Sequence, residues 1–363
     1  MRVLITGACG FVGFRVASFL AATHPHWELI GVDSLIRPGS ETNRSPLTSL
    51  GVRFLHDDLR DRDAVMRWPQ ADWVIDCAAN ASVLSGTANH ASSQSIMDHN
   101  LVGTIHILEY CRQHQAGMLL LSSSRVYSID AMQAIPLRDA GDRYELDASP
   151  PDLPAGLSPR GLTESFSTQA PISLYGATKL ASEVLAQEYA LAFGFPLWIN
   201  RCGLLAGAGQ FGRPDQGIVT YWLHAYRYRK QLKYIGFGGR GIQVRDCLHP
   251  DDLARLIVLQ LQRPPAKDQR VVCNVSGGLP SAFSLRELTQ WCERRWLPPG
   301  ERSQVALSSD PHPRPFDCPW VVLDAAPAQR MWNWSPERDL DSILNEIAEH
   351  AERHAEWLEL SQA

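Results

Sequence analysis

Apolar residues follow two rhythms along this chain. Short continuous runs rich in β-branched residues predict buried strands at 2–6, 28–32, 52–55, 73–77, 118–121 and 195–200. Between them, apolar positions three and four apart predict helices over 14–22, 61–68, 95–113 and 174–193. Strand and helix in alternation make a parallel sheet covered on both faces, so the expected class is α/β, doubly wound. The rhythm breaks over 128–172, where Pro, Gly, Ser and Asp crowd in, and an irregular segment beside a cleft is expected there. Beyond 200 the alternation loosens. A loop at 207–212, strands at 232–235, 242–248 and 270–275, and helices over 216–229, 251–262, 284–296 and 340–358 predict a smaller, mixed α/β lobe. The expected division is a sheet domain over 1–200 and a mainly substrate-binding lobe over 201–363, with some later segments returning to the first domain.

Composition narrows the classes. At 363 residues the chain can bury a large core, and its 45% hydrophobic and 20% charged shares are those of a globular protein. The net charge of −5, from 34 basic and 39 acidic residues with no long run of one sign, argues against nucleic acid and membrane surfaces as partners. No apolar run is long enough for a membrane span. Eight cysteines without a CxxC pair, in a chain that opens directly on a core strand, point to reduced thiols and a cytoplasmic location. The close pair His24 and His26 has no further ligand pattern beside it, so no metal is expected.

The first 33 residues carry the first chemistry. Gly7, Gly10 and Gly13 follow the first strand at once and open the first helix. Gly7 permits the tight turn, Gly10 lets backbone approach a pyrophosphate, and Gly13 lets the helix pack close on the strand. The N–H groups of the helix start, Phe11 and Val12 included, then face phosphates. Asp33 ends the second strand, 20 residues after Gly13, where a carboxylate accepts from both ribose hydroxyls. Its charge opposes a 2'-phosphate, so NAD is expected rather than NADP.

The second constellation is Ser122-Ser123-Ser124 with Tyr175 and Lys179. Tyr175 and Lys179, four apart on a helix, share a face, and an ammonium beside a phenol stabilises its deprotonated form. Tyr175 is then a proton acceptor for an alcohol, a serine hydroxyl polarises the same oxygen, and Lys179 can also hold a ribose.

With these residues the chain resembles the extended short-chain dehydrogenase/reductase family, within it the nucleotide-sugar epimerases and dehydratases. The resemblance covers nearly the full length. It rests on Gly7/Gly10/Gly13, Asp33, Asp58-Leu59, Ala78-Ala79-Asn80, Asn100 with Gly103-Thr104, Ser123 with Val126-Tyr127, Tyr175/Lys179 and Arg245-Asp246. It implies a Rossmann-type sheet, NAD held by the glycine loop, Asp58 and Leu59 flanking the adenine, and Ala78, Ala79, Asn80 and Asn100 on the cofactor side. It also implies Ser123 as the catalytic hydroxyl, with Ser122 and Ser124 as alternatives, and a homodimer through helices 95–113 and 174–193. The family's 4,6-dehydratases follow the hydroxyl with an Asp-Glu pair, whereas this chain has Ser124-Arg125, which disfavours water elimination. Within the family, stretches 33–40, 209–217 and 243–246 are similar to the CDP-paratose 2-epimerase branch. Ser82, Ser124, Arg125, Gln210, Arg213, Gln216 and Arg245 would form the substrate side, Arg245 as the forked clamp on a diphosphate. Leu204 and Ala206-Gly207-Ala208 depart from the family's Asn and Tyr-Gly-Pro there. The expected activity is NAD-dependent epimerisation of a CDP- or UDP-linked sugar. The alternatives are a dehydrogenase or reductase with net NAD(H) turnover, and a regulator that binds NAD without chemistry.

Overall fold

The computed structural model describes residues 1–83, 92–266, 269–298, 300–301, 303–312 and 314–362. A seven-stranded parallel sheet organises them: β1 (Arg2–Thr6), β2 (Glu28–Asp33), β3 (Arg53–His56), β4 (Trp73–Asp76), β5 (Gly117–Ser123), β6 (Leu197–Cys202) and β7 (Val272–Val275). The order is β7-β6-β5-β4-β1-β2-β3, and all pairs are parallel. The order reverses at β1, where a cleft opens beyond the carboxyl ends of β1 and β4. Both faces are buried, which is why the strands read as continuous apolar runs. Val3, Ile5, Val16, Leu20 and Trp198 fill one side, and Leu4, Ile30, Ile107, Leu120 and Ile199 the other.

The chain re-enters this sheet late. Helix Pro250–Gln262 packs on helix Phe11–Thr23, where Arg15 pairs with Asp251 at 3.1 Å, and β7 completes the sheet edge. The lobe between and beyond is built on a small sheet of Leu204–Leu205, Val244–Leu248, Ala282–Ser284 and Trp320–Val321. Helices Ile218–Arg227, Leu285–Trp296 and Leu340–Arg353 surround a core containing Trp222, Leu223 and Ile347. Ser284 and Glu287 form a capping box at the start of the second of these.

Three expectations need correction. The single helix over 95–113 is three pieces: Ser93–Met97, a π turn at Asp98–Val102, and Gly103–His114. Asn100 is drawn inward there, and Thr104 Oγ1 donates to its carbonyl at 2.7 Å in competition with the helical ladder. The helix over 340–358 stops at Arg353, and a separate helix, Trp357–Gln362, follows a short turn. The 128–172 segment is not irregular throughout. Helix Ile129–Gln133 and two small hairpins, Leu137–Asp139 with Tyr144–Leu146 and Leu157–Ser158 with Gly161–Leu162, pack through Tyr127, Phe166 and Trp320. Two- and three-residue strands offer no periodicity to detect. Among the described residues no helix is long and apolar enough to cross a membrane.

Candidate active site

The glycine loop is shaped by contacts that exclude a side chain. A Cβ on Gly13 would stand 2.1 Å from the Gly7 carbonyl oxygen, and Gly7 sits at φ +60° with its own Cβ position 2.9 Å from Ala78 Cα. Helix Phe11–Thr23 starts at Gly10 without a side-chain cap, so its first N–H groups remain for a ligand. Asp33 closes the loop from β2, accepting from the Cys9 N–H and the Leu35 N–H, both at 2.8 Å. Each carboxylate oxygen keeps a lone pair for a ribose hydroxyl.

A cavity of about 730 Å³ runs from this loop into the lobe. Gly7, Gly10, Phe11, Val12, Gly13, Asp33, Asp58, Leu59, Ala78, Ala79 and Asn80 line it, and so do Ser123, Ser124, Arg125, Tyr175, Lys179, Gln210, Arg213, Gln216 and Arg245. The Asp58 carboxylate is occupied by Arg60 at 2.6 Å, and that bond holds it below the usual carboxylate range. Two expected site residues do not line the cavity. Asn100 is buried behind it, accepting from the Asn80 N–H at 2.8 Å and donating to the Asn80 carbonyl at 3.0 Å. It shapes the cofactor side through Asn80 rather than by contact. Ser82 turns to Asp215, with its hydroxyl 3.2 Å from that carboxylate.

Tyr175 and Lys179 project from helix Ser173–Phe193, Ser123 from the end of β5. The helix abuts the turn after β5 so closely that a Cβ on Gly176 would lie 2.2 Å from the Arg125 carbonyl oxygen. Lys179 Nζ donates to the Leu121 carbonyl at 2.9 Å, which anchors the helix to β5 one strand residue before the serines. Ser123 Oγ accepts from the Arg125 N–H at 3.1 Å, leaving its hydroxyl proton to give. Ser122, by contrast, donates to Glu183. Behind Lys179, burial pushes the Asp76 carboxyl up while the Lys179 ammonium acts against that shift.

Arg245 does not pair with its neighbour Asp246. It binds Asp317 at 2.8 Å and donates to the Val244 and Cys318 carbonyls at 2.7 and 2.8 Å. Asp246 accepts from the Leu323 N–H at 3.0 Å, and burial pushes its carboxyl up to about 6.

Residues 3–276 match the model of the NAD dependent epimerase/dehydratase family. This chain belongs to that family. Its relatives span the chemistry the name covers. It is 30% identical over 297 residues to CDP-paratose 2-epimerase of Salmonella typhi, covering 81% of this chain and 84% of that one. It is also 30% identical, over 263 residues, to a probable dTDP-glucose 4,6-dehydratase of Sinorhizobium fredii, covering 71% and 67%. A crystal structure of UDP-glucuronic acid 4-epimerase from Bacillus cereus, solved with UDP-glucuronic acid and NAD, superposes with a TM-score of 0.76 at 22% identity over 97% of this chain and 99% of that one. The cofactor of the family member is NAD, and the glycine cradle, the free helix start and Asp33 fit it.

Several cavity residues escaped the reading of the sequence. Arg37, Arg60, Lys233 and Arg314 line the cavity alongside the expected arginines. Arg37 lies in the stretch 33–40 that carries part of the resemblance, but nothing there singled out its side chain. Glu183, on helix Ser173–Phe193, and Arg201, on β6, form a buried pair, and a lone arginine inside the apolar run of β6 was its one visible trace.

Proposed function

We propose that this enzyme epimerises a nucleotide-diphosphate sugar through a transient keto-sugar, with a CDP-linked sugar as the first candidate and a UDP-linked sugar as the second. One observation carries the reading: Ser123, Tyr175 and Lys179 converge on a cavity that also holds the glycine cradle, with no acid pair after the serine. Ser124 and Arg125 occupy the positions where dehydratases place an Asp-Glu pair, and neither is suited to the two proton transfers of water elimination. The similarity to the Salmonella enzyme supports the CDP-linked choice.

Ser123 donates to the sugar hydroxyl oxygen, and Tyr175, one helical turn from Lys179, accepts the hydroxyl proton. Held by the glycine cradle and Asp33, NAD would supply the acceptor and donor for the hydride at the sugar carbon. Tyr175 gives the proton back as the carbonyl is reduced from its other face, so the protein ends unchanged. Arg125, Arg213 and Arg245 hold the diphosphate while the sugar turns. Gln216 completes the substrate side, and Gln210, its amide bonded to Leu205 and Thr220, shapes the loop that carries it. The proposal includes a homodimer in the cytoplasm. Exposed Val184, Leu191 and Phe193 on helix Ser173–Phe193 support the pairing surface.

The test is NMR of the protein mixed with CDP-, UDP-, dTDP- and GDP-linked sugars and substoichiometric NAD⁺. Conversion of one sugar to its epimer without accumulating NADH is the expected result. Stoichiometric NADH would move the assignment to a dehydrogenase. A 4-keto-6-deoxy product would move it to a dehydratase.

A further inference from the structure

The helix Trp357–Gln362 lies against the loop that carries Gln210, Arg213 and Gln216. Trp357 stacks on Phe211, with ring centroids 5.3 Å apart and planes 14° apart, and its indole N–H donates to the Gln210 carbonyl at 2.8 Å. One turn later the Ser361 carbonyl accepts from Arg213 Nε at 2.6 Å. The same loop is held from the opposite side of the chain. A Cβ on Gly39 would stand 2.8 Å from the Phe211 ring, so that backbone lies directly against it. Arg37 donates to the Phe211 carbonyl at 2.7 Å and to the Gln216 side-chain oxygen.

Phe211 is thus a buried pin between the stretch that follows Asp33 and the C-terminal helix. Gln210 cannot replace it, since its amide is used inside the lobe, donating to the Leu205 carbonyl at 2.9 Å and accepting from Thr220 at 3.1 Å. Trp357 is buttressed in turn by His350, whose ring meets it edge-on at 4.7 Å. With Nε tied to Ser361, the four terminal N–H donors of Arg213 have no partner among the described residues and are available to an anion. A second guanidinium, Arg37, stands close enough that burial and the Arg213 charge pull it down to about 10, against the attraction of Asp215.

We propose that Trp357 is a positioning residue. Through Phe211 and the Ser361–Arg213 bond it sets where the Arg213 guanidinium stands, and so how tightly the cavity holds a nucleoside diphosphate. This rests on the reading that the cavity takes a nucleotide sugar. The role is unconnected with hydride or proton transfer, so it acts on binding and leaves the chemical step alone.

The experiment titrates CDP and UDP into the full-length NAD-bound protein by calorimetry, for wild type, Trp357→Ala, Trp357→Phe, Phe211→Leu and the double variant Phe211→Leu/Trp357→Ala. Trp357→Ala is expected to weaken the tighter-binding diphosphate about tenfold, the worth of one stacked aromatic pair. On the sugar substrate KM rises in proportion while kcat stays within about twofold. Trp357→Phe keeps the stack and recovers most of the affinity. The double variant binds no more weakly than the weaker single one, because both act through one contact. Wild-type affinity in Trp357→Ala, a fall in kcat at constant KM, or additive losses would each overturn the proposal. Should Trp357→Ala fail to fold, Trp357→Leu and Trp357→Phe carry the same comparison. Binding of neither diphosphate by wild type would overturn the proposed function, and this inference with it. Wild-type binding that the variants leave untouched overturns this inference alone.

Discussion

The pair Glu183–Arg201 offers the sharpest test of how the helix that carries Tyr175 and Lys179 is held. Glu183 lies on helix Ser173–Phe193, four residues beyond Lys179 and eight beyond Tyr175, on the same face. Its side chain is 1% exposed and that of Arg201, from β6, is 9% exposed. Arg201 reaches it with Nε at 3.0 Å and Nη2 at 2.7 Å, and continues to the Tyr127 hydroxyl at 3.3 Å and the Glu164 carbonyl at 3.1 Å. Burial works against the Arg201 charge, but the bonds to Glu183 outweigh it and hold the guanidinium above its usual range. Replacing Arg201 with Met leaves the carboxylate buried with only the Ser122 hydroxyl as a side-chain donor, a loss of about 3–5 kcal/mol. Over 363 residues at roughly 2.1 cal/mol/K of unfolding entropy each, that is a fall in Tm of about 4–7 °C. The double variant Glu183→Leu/Arg201→Met removes both charges and recovers most of it, because an apolar pair in that space is close to neutral. Calorimetric melts measure the stabilities, and turnover on the identified sugar reports the helix position. An Arg201→Met melt within about 1 °C of wild type would refute the argument, as would a double variant no more stable than the single.

Three further outcomes are expected. Tyr175→Phe lowers turnover by about 10²–10⁴-fold while NAD and CDP or UDP still bind, measured by activity beside calorimetry; unaltered turnover would remove Tyr175 from the chemistry. Gly13→Ala abolishes NAD retention through gel filtration, because its Cβ would have to retreat by more than an ångström from the Gly7 oxygen 2.1 Å away; full occupancy would contradict the close packing. His224 and His350 are held down, by burial first, to about 4 and about 3, so both stay neutral in the fold while the unfolded chain takes up protons near pH 6.5. Their contribution to stability is therefore complete above about pH 6.5 and falls as the pH drops toward 4, and His350→Gln should flatten that part of the Tm profile; parallel profiles would exclude the effect.

The parts of the fold that were legible are those where one local requirement selects one residue type. Gly7 and Gly13 stand where a Cβ would collide with backbone, and β1 alternates between two apolar faces, so both announce themselves within a few residues. Tyr175 and Lys179 are four apart, and helix geometry alone makes them neighbours. The parts that were missed depend on contacts far apart in the chain. The Arg213 bond to Ser361 spans 148 residues, and the Glu183–Arg201 pair joins a helix to a strand. The resemblance put Asn100 on the cofactor side, but the side chain sits in a π turn and is spent on the Asn80 backbone. The segment over 128–172 failed for another reason. Its elements span less than two periods of either pattern, and a long-range contact pins it at Gly161, where a Cβ would stand 2.4 Å from the Val322 oxygen.

The cavity walls differ in how they are held, and the difference bears on epimerisation. Tyr175, Lys179 and Ser123 stand on a helix and a strand locked by Lys179 to Leu121, Gly176 against Arg125, and the buried Glu183–Arg201 pair. Across from them, Gln210, Arg213 and Gln216 sit on a loop held by side chains from two distant stretches, Arg37 on one side and Trp357 on the other. Returning hydride to the opposite face of a ketone requires the sugar to turn while the proton acceptor stays where it is. On the proposed function, a rigid acceptor wall facing a loop pinned at Phe211 would satisfy that requirement, with the diphosphate end clasped and the sugar left free to rotate. Tightening the clasp should slow exchange of the diphosphate without moving Tyr175, and loosening it should speed that exchange while the chemical step keeps its rate. On the proposed function, the acceptor wall fixes the proton transfer in place, while the clasped loop sets how tightly the diphosphate is held.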